Sequence, residues 1–237
     1  MIDEKRKPWC IAHRGASKLA PENTLKSFKK AIELGADMIE LDVRLTKDRK
    51  VVVIHDADIS RTSNGSGPVR SYTLEELRKF DFGDGERIPT LEEALELARD
   101  KVLVNVEIKE PDMVREVVEV IKKTGMVNQV IVSSFIHPIL PMIKKLEPSI
   151  KTAILFVCYP VNVVRLARDA MADFINPYHE AVEEMMVNAA RSAGLGILPW
   201  TVDDEESMKK LIRLGVDGVI TNDPALFLRV RKEILGF

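Results

Sequence analysis

Two short apolar runs of the sequence carry side chains that can do chemistry. Glu40 and Asp42 lie two residues apart in the first run, 38–45, so a strand would place both carboxylates on one face. His55 follows the second run, 51–54, after a short polar stretch. This pattern predicts a β-hairpin that carries two carboxylates and an imidazole.

The expected turn of this hairpin lies between Asp48 and Arg49, which pairs Asp42 with His55 directly across the two strands. Opposed side chains lie on one face with Cβ atoms about 4.5–5.5 Å apart, so the acidic groups and the imidazole would share a small space. A slip of one residue would turn His55 to the other face. The alternative is that Glu40 and Asp42 form the outward polar face of an edge hairpin.

A regular rhythm of strands and amphipathic helices surrounds the hairpin. Strands are expected to begin near Trp9, Met38, Leu103, Val130, Thr152, Asp173, Ile197 and Gly218. Eight strands alternating with helices over 237 residues predict an α/β fold of the (β/α)8 TIM-barrel class, with the hairpin as an excursion. Residues 57–88 are expected to be a short insertion after the second barrel strand, within a single domain spanning residues 1–237.

Helix boundaries are marked by capping residues. Asn23 or Thr24 is expected to begin the first helix and Gly35 to end it, and Thr90 is expected to begin the helix that follows the insertion.

Composition and charge narrow the range of partners. Of the 237 residues, 46% are hydrophobic and 30% are charged, with a formal net charge of -2. Charges of both signs are interspersed, so neither nucleic acid nor an anionic membrane is an expected partner. The charged start, Met1 to Trp9, leads into no segment of signal-peptide length, and no stretch approaches the ~18–20 apolar residues of a membrane span. We expect a cytoplasmic protein without stable membrane insertion, and the sequence allows a homo-oligomer without fixing the oligomeric state.

Active sites of (β/α)8 barrels lie at the carboxyl ends of the strands. The polar side chains expected at those ends are His13 and Arg14, Glu40 and Asp42, Glu107 and Lys109, Ser133 and Ser134, Asn176, Trp200 and Thr201, and Asn222 and Asp223. The opposite ends of the strands offer nothing comparable. This convergence favours a functional role for Glu40 and Asp42 over an outward polar face.

Glu40, Asp42 and Glu107 would come from neighbouring strands and would repel one another in a low-dielectric barrel mouth. One divalent cation, Mg²⁺ or Ca²⁺, resolves this repulsion because both ions prefer carboxylate oxygen. Lys109 would then lie beside the cation and help to hold an anion. The alternative for Glu107 is a structural ion pair with Lys109, which lies two residues on and on the same face.

Two histidines, His13 and His55, and Arg14 beside such a cation indicate phosphate chemistry. The cation and Arg14 would stabilise charge on phosphoryl oxygens, while one imidazole takes a proton and the other gives one to the leaving oxygen. Cleavage of a phosphodiester needs both of these proton transfers. The alternative for either histidine is a satisfied group of the core.

The remaining histidines and the cysteines carry weaker signals. His137 precedes Pro138 at an expected helix start and is interpreted as solvent-facing or as a cap. His179 lies in the loop after the sixth barrel strand and is a candidate substrate contact. Cys10 and Cys158 form no C-x-x-C motif and are expected to be reduced and buried.

Seven short motifs occur along the chain in an order typical of one family. They are His13-Arg14-Gly15, Pro21-Glu22-Asn23-Thr24, Glu40-Leu41-Asp42-Val43, His55-Asp56, Asn105-Val106-Glu107-Ile108-Lys109, Ser133-Ser134-Phe135 and Trp200-Thr201-Val202. In these motifs the chain resembles the glycerophosphodiester phosphodiesterases, and the match covers nearly the whole chain. Each motif alone is weak, whereas seven at ordered spacing are highly specific.

The resemblance implies a distorted barrel with a divalent metal on Glu40, Asp42 and Glu107. It also implies acid–base catalysis by His13 and His55. The implied reaction is hydrolysis of a glycerophosphodiester, such as glycerophosphocholine or glycerophosphoethanolamine, to glycerol 3-phosphate and the free alcohol.

The resemblance also assigns the substrate contacts. Arg14 and Lys109 are implied to bind phosphate, and Phe135 and Trp200 to line the alcohol side of the pocket. Two positions depart from the family pattern, because Asn222 stands where the family often has Asp, and Asp203 where it often has Asn. Neither departure is expected to touch the metal or the acid–base set.

Two other activities stay open at this point. One is a sphingomyelinase D or lysophospholipase D type of reaction on lipid substrates, for which the two poorly placed cysteines and the absent export signal are unfavourable. The other is a non-catalytic phosphate-binding barrel, for which the intact histidines and carboxylates are unfavourable.

Overall fold

A computed structural model describes residues 7–236, and the charged residues Met1 to Arg6 that entered the localisation prediction lie outside the described residues. The strands are β1 (Trp9–His13), β2 (Met38–Leu45), β3 (Val51–Val53), β4 (Leu103–Ile108), β5 (Val130–Ser134), β6 (Lys151–Phe156), β7 (Phe174–Pro177), β8 (Gly196–Ile197) and β9 (Gly218–Thr221). The helices are α1 (Leu25–Leu34), α2 (Leu74–Leu77), α3 (Leu91–Ala98), α4 (Val114–Lys123), α5 (Leu140–Leu146), α6 (Val163–Asp169), α7 (Glu184–Ser192), α8 (Glu205–Leu214) and α9 (Pro224–Leu235).

Eight strands run parallel in the order β8-β7-β6-β5-β4-β2-β1-β9, and β3 pairs antiparallel with β2. Backbone hydrogen bonds from Ile220 N to Pro199 O (2.9 Å) and from Val202 N to Ile220 O (2.9 Å) join the two ends of this sheet. Helices follow the barrel strands, and α2 belongs to the segment after the hairpin. The predicted (β/α)8 barrel is confirmed.

Alternation along the strands divides the core into two parts. Side chains on one face pack inside the barrel, namely Ile11, Met38, Ile131, Ala153, Leu198 and Ile220. The larger part lies between the strands and the helices and contains Phe28, Leu91 and Phe227. Because β2 alternates with a period of two, Glu40 and Asp42 share the inward face of Met38, toward the carboxyl end of the strand.

The caps follow the predictions. Thr24 and Thr90 begin α1 and α3, and each side chain accepts a hydrogen bond from the backbone N–H three residues on. Gly35 ends α1 in a left-handed conformation with φ of 86°.

The register of the hairpin differs from the prediction by one residue. Val43 pairs with Val53 and Leu45 with Val51, so Asp42 lies opposite Ile54, whose N–H donates to the Asp42 carbonyl oxygen. The reason is the turn, in which Arg49 N–H donates to Thr46 O and Arg49 adopts φ of 57°. A three-residue loop that ends in a left-handed residue shifts the pairing by one position from a two-residue loop.

The segment after the hairpin shares a small apolar core with the returning strand of the hairpin. Its buried side chains are Val52, Ile54, Ile59, Val69, Leu77, Phe82 and Ile88. The segment is thereby packed against the hairpin that carries His55. Within residues 7–236, no helix combines the length and the apolar character that crossing a bilayer requires.

Candidate active site at the barrel mouth

The structure brings the three predicted acidic ligands together, and we call Glu40, Asp42 and Glu107 the acidic cluster. The parallel register places Asp42 of β2 beside Glu107 of β4, with Glu40 two residues before Asp42 on the same face. One ligand oxygen from each carboxylate lies within 4.8 Å of the others, and all three residues are buried.

Two cationic side chains contact the acidic cluster. Lys109 Nζ lies 2.9 Å from Asp42 Oδ1 and also pairs with Glu107. Arg14 Nε lies 3.1 Å from Asp42 Oδ2, and the Arg14 backbone N–H donates to Glu40 Oε2 at 3.0 Å. The ion pair between Glu107 and Lys109 that was the alternative interpretation therefore exists, but it is part of a larger cluster.

The two cations compensate the three carboxylates unevenly. Burial raises the pKa of Glu40 well above its ordinary value, and the charges of Asp42 and Glu107 add to this shift. Burial, followed by the charge of Asp42, raises the pKa of Glu107 to about 7. Burial acts in the same direction on Asp42, but the charges of Lys109 and Arg14 outweigh it and hold the pKa of Asp42 below its ordinary value. Negative charge on Glu40 and Glu107 is thus left without sufficient compensation.

The acidic cluster fits a divalent cation on this ground. Its members are carboxylates from two adjacent strands, and oxygen ligands are those that Mg²⁺ and Ca²⁺ prefer. The three oxygens lie within 4.8 Å of one another, and the raised pKa values of Glu40 and Glu107 report the negative charge that a cation would neutralise.

A tight turn after β1 positions Arg14. Arg14 and Gly15 both adopt left-handed conformations, with φ of 56° and 80°. A Cβ atom at Gly15 would overlap the side chain and backbone of Ser27, so glycine is the residue that fits. The turn directs the Arg14 N–H toward Glu40 and brings its side chain to Asp42.

Asn23 is a member of the site that sequence reasoning missed. It was placed in a family motif and predicted as a candidate helix cap but given no role in the site, yet its Nδ2 donates to Asp42 Oδ2 at 2.9 Å, and its Oδ1 accepts from the Asp42 N–H at 3.4 Å. Asn23 has φ of 57°, a conformation that asparagine tolerates better than most residues. An asparagine directly before the capping threonine was the available signal.

His13 lies at the end of β1 between the acidic cluster and the last barrel strand. Its Nε2 is 3.9 Å from Glu40 Oε2, and its Nδ1 is 2.7 Å from Asn222 Oδ1. Burial, followed by the nearby charge of Arg14, lowers the pKa of His13 to about 4. The expectation that Asn222 would not touch the acid–base set was wrong, because Asn222 follows β9 and β9 is the neighbour of β1.

His55 reaches the site despite the shifted register. Strand β3 ends at Val53, so the alternation of side chains between the two faces of a strand does not determine which way His55 points. Burial lowers its pKa, while the charge of Asp42 acts in the opposite direction, so the imidazole lies within the field of the acidic cluster. Its Nδ1 is 2.6 Å from Asp56 Oδ1. Arg61 donates from Nε to Asp56 and from both terminal nitrogens to Glu22.

This chain of ion pairs continues to the phosphate-binding candidate. Glu22 Oε1 accepts from Arg14 Nη1 at 3.0 Å. One continuous series of polar contacts therefore runs from His55 through Asp56, Arg61 and Glu22 to Arg14. Asp56, Glu22 and Arg61 were not predicted as site residues. Their role depends on contacts across the insertion, which no local pattern displays.

Aromatic side chains line another part of the mouth. Phe135 and Trp200 meet edge to face with ring centroids 5.4 Å apart, and Trp200 Nε1 donates to Asn176 O at 2.8 Å. Tyr178 contacts both Trp200 and His179, at centroid distances of 5.8 and 4.8 Å. The predicted pocket residues Phe135, Trp200 and His179 therefore form one wall with Tyr178, which the sequence did not single out.

Two lesser expectations were wrong. His137 is half-buried and its Nε2 hydrogen-bonds to Leu155 O at 2.8 Å, so it is not solvent-facing, and Ile136 rather than His137 holds the cap position of the short 3-10 helix His137–Ile139. Both cysteines are free thiols as expected, but Cys158 is exposed while Cys10 is buried. Cys158 follows β6 by two residues and lies in the loop outside the barrel core.

Three buried polar side chains, Asn105, Ser133 and Asn176, lie on barrel strands β4, β5 and β7. Asn105 precedes Glu107 by two residues on β4, and Ser133 is the register partner of Glu107 on β5. No hydrogen-bond partner for the Asn105 or Asn176 amide or for the Ser133 hydroxyl occurs in the part of the chain that the structure describes. The barrel interior is thus polar close to the site.

A (β/α)8 barrel with buried carboxylates, two cationic side chains and two histidines at its mouth has the groups needed for acid–base chemistry on a phosphate ester. The profile of the "Glycerophosphoryl diester phosphodiesterase family" matches residues 13–226. The chain belongs to this family.

Relatives and solved structures agree with this assignment. A glycerophosphodiester phosphodiesterase of Caldanaerobacter subterraneus subsp. tengcongensis is 45% identical, over 94% of this chain and 97% of the relative. The structure of an Oleispira antarctica phosphodiesterase in complex with the product sn-glycerol-3-phosphate is 30% identical, with a TM-score of 0.88 over 93% of this chain and 95% of that one. A Thermotoga maritima glycerophosphodiester phosphodiesterase is 36% identical, with a TM-score of 0.82 over 94% and 98% of the two chains.

Proposed function

We propose that this protein is a divalent-metal-dependent phosphodiesterase that hydrolyses glycerophosphodiesters to glycerol 3-phosphate and an alcohol. The convergence of the acidic cluster with His13 and His55 at one barrel mouth carries this proposal. The family supports it, as does the similar Oleispira antarctica enzyme, whose structure contains the product sn-glycerol-3-phosphate. Glycerophosphocholine and glycerophosphoethanolamine are the proposed substrates.

Arg14 and Lys109 are the proposed phosphate ligands. Both are largely buried cations that contact Asp42, so each is held in place before substrate binds. Preorganised cations stabilise the charge on phosphoryl oxygens without reorganising during the reaction. Phe135, Trp200 and His179 are proposed to contact the alcohol group from the aromatic wall.

His13 and His55 are proposed to share the proton transfers. One imidazole takes the proton of the attacking hydroxyl and the other gives a proton to the leaving oxygen. Each has one ring nitrogen engaged, His13 Nδ1 with Asn222 and His55 Nδ1 with Asp56, which leaves Nε2 of each ring for the reaction.

Glu40, Asp42 and Glu107 are proposed to hold one Mg²⁺ or Ca²⁺ ion. When bound, such a cation supplies positive charge that stabilises phosphoryl oxygens. The three carboxylates would then stay ionised, because the cation replaces the repulsion among them with attraction.

The test is a panel of glycerophosphodiesters and lysophospholipids assayed for release of the head-group alcohol, and for glycerol 3-phosphate from the glycerophosphodiesters, after chelator treatment and after readdition of Mg²⁺ or Ca²⁺. We expect release from the glycerophosphodiesters only with a cation, and a loss of about 100-fold or more in His55→Ala. His137→Gln is the control, because His137 contacts Leu155 outside the site. A non-catalytic phosphate-binding barrel would show no turnover with any cation, and faster turnover of lysophospholipids would indicate a lysophospholipase D.

We also propose that residues 1–237 act as one cytoplasmic catalytic domain in which 57–88 are an insertion. Limited proteolysis within 57–88 is expected to leave the two fragments associated in gel filtration. Separation of the fragments would contradict this domain assignment, and cell fractionation would test the location.

A further inference from the structure

The amide of Asn222 lies between His13 and Asp203. Its Oδ1 is 2.7 Å from His13 Nδ1 and also accepts from Ser17 Oγ at 2.9 Å. Its Nδ2 donates to Asp203 Oδ2 at 2.5 Å. The other oxygen of Asp203 accepts from the Asn222 N–H at 2.9 Å and from Thr221 Oγ1 at 3.1 Å, which fixes the carboxylate.

This network fixes which way the amide of Asn222 points. An ionised carboxylate can only accept hydrogen bonds, so the amide NH₂ must face Asp203. The amide oxygen must then face His13 and Ser17. Because that oxygen has no hydrogen to offer, His13 Nδ1 must be the donor of their hydrogen bond.

We propose that Asp203 is a positioning residue that acts through Asn222 to hold neutral His13 in the tautomer with the proton on Nδ1. In this tautomer Nε2 carries the free lone pair, and Nε2 is the nitrogen that lies toward the acidic cluster, 3.9 Å from Glu40 Oε2. The tautomer is a property of the free protein, and only its kinetic consequence rests on the proposed function.

The network makes a specific prediction for exchange of the two side chains. In Asp203→Asn the side chain at 203 is an amide, which can donate as well as accept a hydrogen bond. The Asn222 NH₂ is then no longer required to face position 203. It can turn toward His13 and select the other tautomer. In Asn222→Asp two carboxylates meet and repel. In the double variant Asp203→Asn/Asn222→Asp, the amide at 203 donates to the carboxylate at 222, which again accepts from His13 Nδ1. Every hydrogen bond is restored in the exchanged pair.

The direct measurement is a two-bond ¹H–¹⁵N spectrum of the protein labelled in its 4 histidines, with the His13 signals assigned by loss in His13→Ala. The protonated and bare ring nitrogens differ widely in ¹⁵N shift. We expect the proton on Nδ1 in the wild type and in the double variant, and a changed distribution in Asp203→Asn. A wild-type spectrum with the proton on Nε2 overturns the proposal, whether or not any variant folds.

The kinetic measurement uses glycerophosphodiester turnover. We expect kcat to fall about 100-fold or more in each single variant, because a misdirected imidazole forfeits acid–base catalysis, while KM changes less. The double variant is expected to recover to within about tenfold of the wild type. A double variant as slow as the singles, with wild-type thermal stability, would overturn the proposal.

Asp204→Asn is the matched control. Asp204 is the adjacent carboxylate, and it caps α8 by accepting from the Ser207 N–H at 2.8 Å. Asparagine caps helices as well as aspartate, so this variant should keep the wild-type kcat and His13 spectrum. A wild-type protein without turnover would refute the proposed function alone, since the spectrum would still report the tautomer.

Discussion

Asp42 is the residue on which most contacts of the site converge. Its two oxygens contact Lys109, Arg14 and Asn23, and its carboxyl is fully buried. Removing one partner of such a group leaves an uncompensated charge buried in a low-dielectric interior, which strongly destabilises the folded protein. Glu40 and Glu107 have fewer charge partners, so their ionisation would depend most on the proposed cation.

Glu107→Gln tests this view of the acidic cluster. The variant keeps the shape of the side chain but removes one negative charge, and cation affinity depends on the number of charged ligands. We expect the Mg²⁺ or Ca²⁺ concentration for half-maximal turnover to rise about tenfold or more. Titration of each ion into chelator-treated enzyme measures this.

Glu110→Gln provides the comparison for that titration. Glu110 pairs with Arg44 and Arg70, outside the acidic cluster, and should leave cation dependence unchanged. Full activity of Glu107→Gln at limiting cation would show that Glu107 is not a ligand.

The two thiols should differ sharply in reactivity. Burial raises the pKa of Cys10 to about 12, and the side chain is completely inaccessible, whereas Cys158 is exposed. The thiolate is the reactive form, so Cys158 alone should react with a thiol reagent in the native protein. Cys158→Ser should abolish the rapid phase, and Cys10 should react only after denaturant is added. Rapid labelling of native Cys158→Ser would contradict the burial of Cys10.

At the scale of elements, the strands and caps were predictable because their signals are local. The apolar runs of β1, β2 and β4 to β7 and the capping threonines each involve residues close in sequence. The hairpin register was not predictable, because it depends on Arg49 adopting a left-handed conformation that its residue type does not announce. His55 still reaches the site because the ladder ends before it.

Contacts between distant elements mark the limit of sequence reasoning at the site. The ordered strand ends brought Glu40, Asp42 and Glu107 to one place, since barrel geometry alone requires it. The bond between His13 and Asn222 joins residues 209 positions apart, and Arg61 reaches Glu22 across 39 positions. Such pairs depend on side-chain placement, which no periodicity encodes.

Arg61 joins the insertion to the barrel, and its contribution to the free energy of unfolding should depend on pH. Its hydrogen bond lowers the pKa of Asp56 to about 2. A carboxyl with a depressed folded pKa adds stability above its unfolded pKa of about 3.9, and this stability is lost as pH falls toward the folded value. Arg61→Met should therefore lower the free energy of unfolding at pH 6, by about 0.2–1 kcal/mol because Arg61 is half exposed.

Urea unfolding of wild type and Arg61→Met at several pH values measures this contribution. The difference between the two proteins should shrink as pH falls from about 4 toward 2. A difference that stays constant over this range would assign the effect of Arg61 to packing of its aliphatic part.

At the scale of the whole molecule, cation binding should be visible as thermal stability. A ligand at 100 times its Kd stabilises the native state by about 2.7 kcal/mol. For a chain of this size that corresponds to a rise of about 5–10 °C in Tm. Calorimetry with Mg²⁺, Ca²⁺ and sodium chloride of equal ionic strength measures it, and no rise with either divalent ion above the sodium control would contradict the cation site.

Within residues 7–236 the amides of Asn105 and Asn176 and the hydroxyl of Ser133 have no hydrogen-bond partner, so these buried polar groups lower thermal stability while keeping the barrel interior near the acidic cluster polar. Apolar residues there would pack without the desolvation cost of a polar group, so a laboratory selection for survival at high temperature alone should accumulate them. Populations selected in parallel for turnover should retain the polar residues, and the two lineages would diverge at these three codons first.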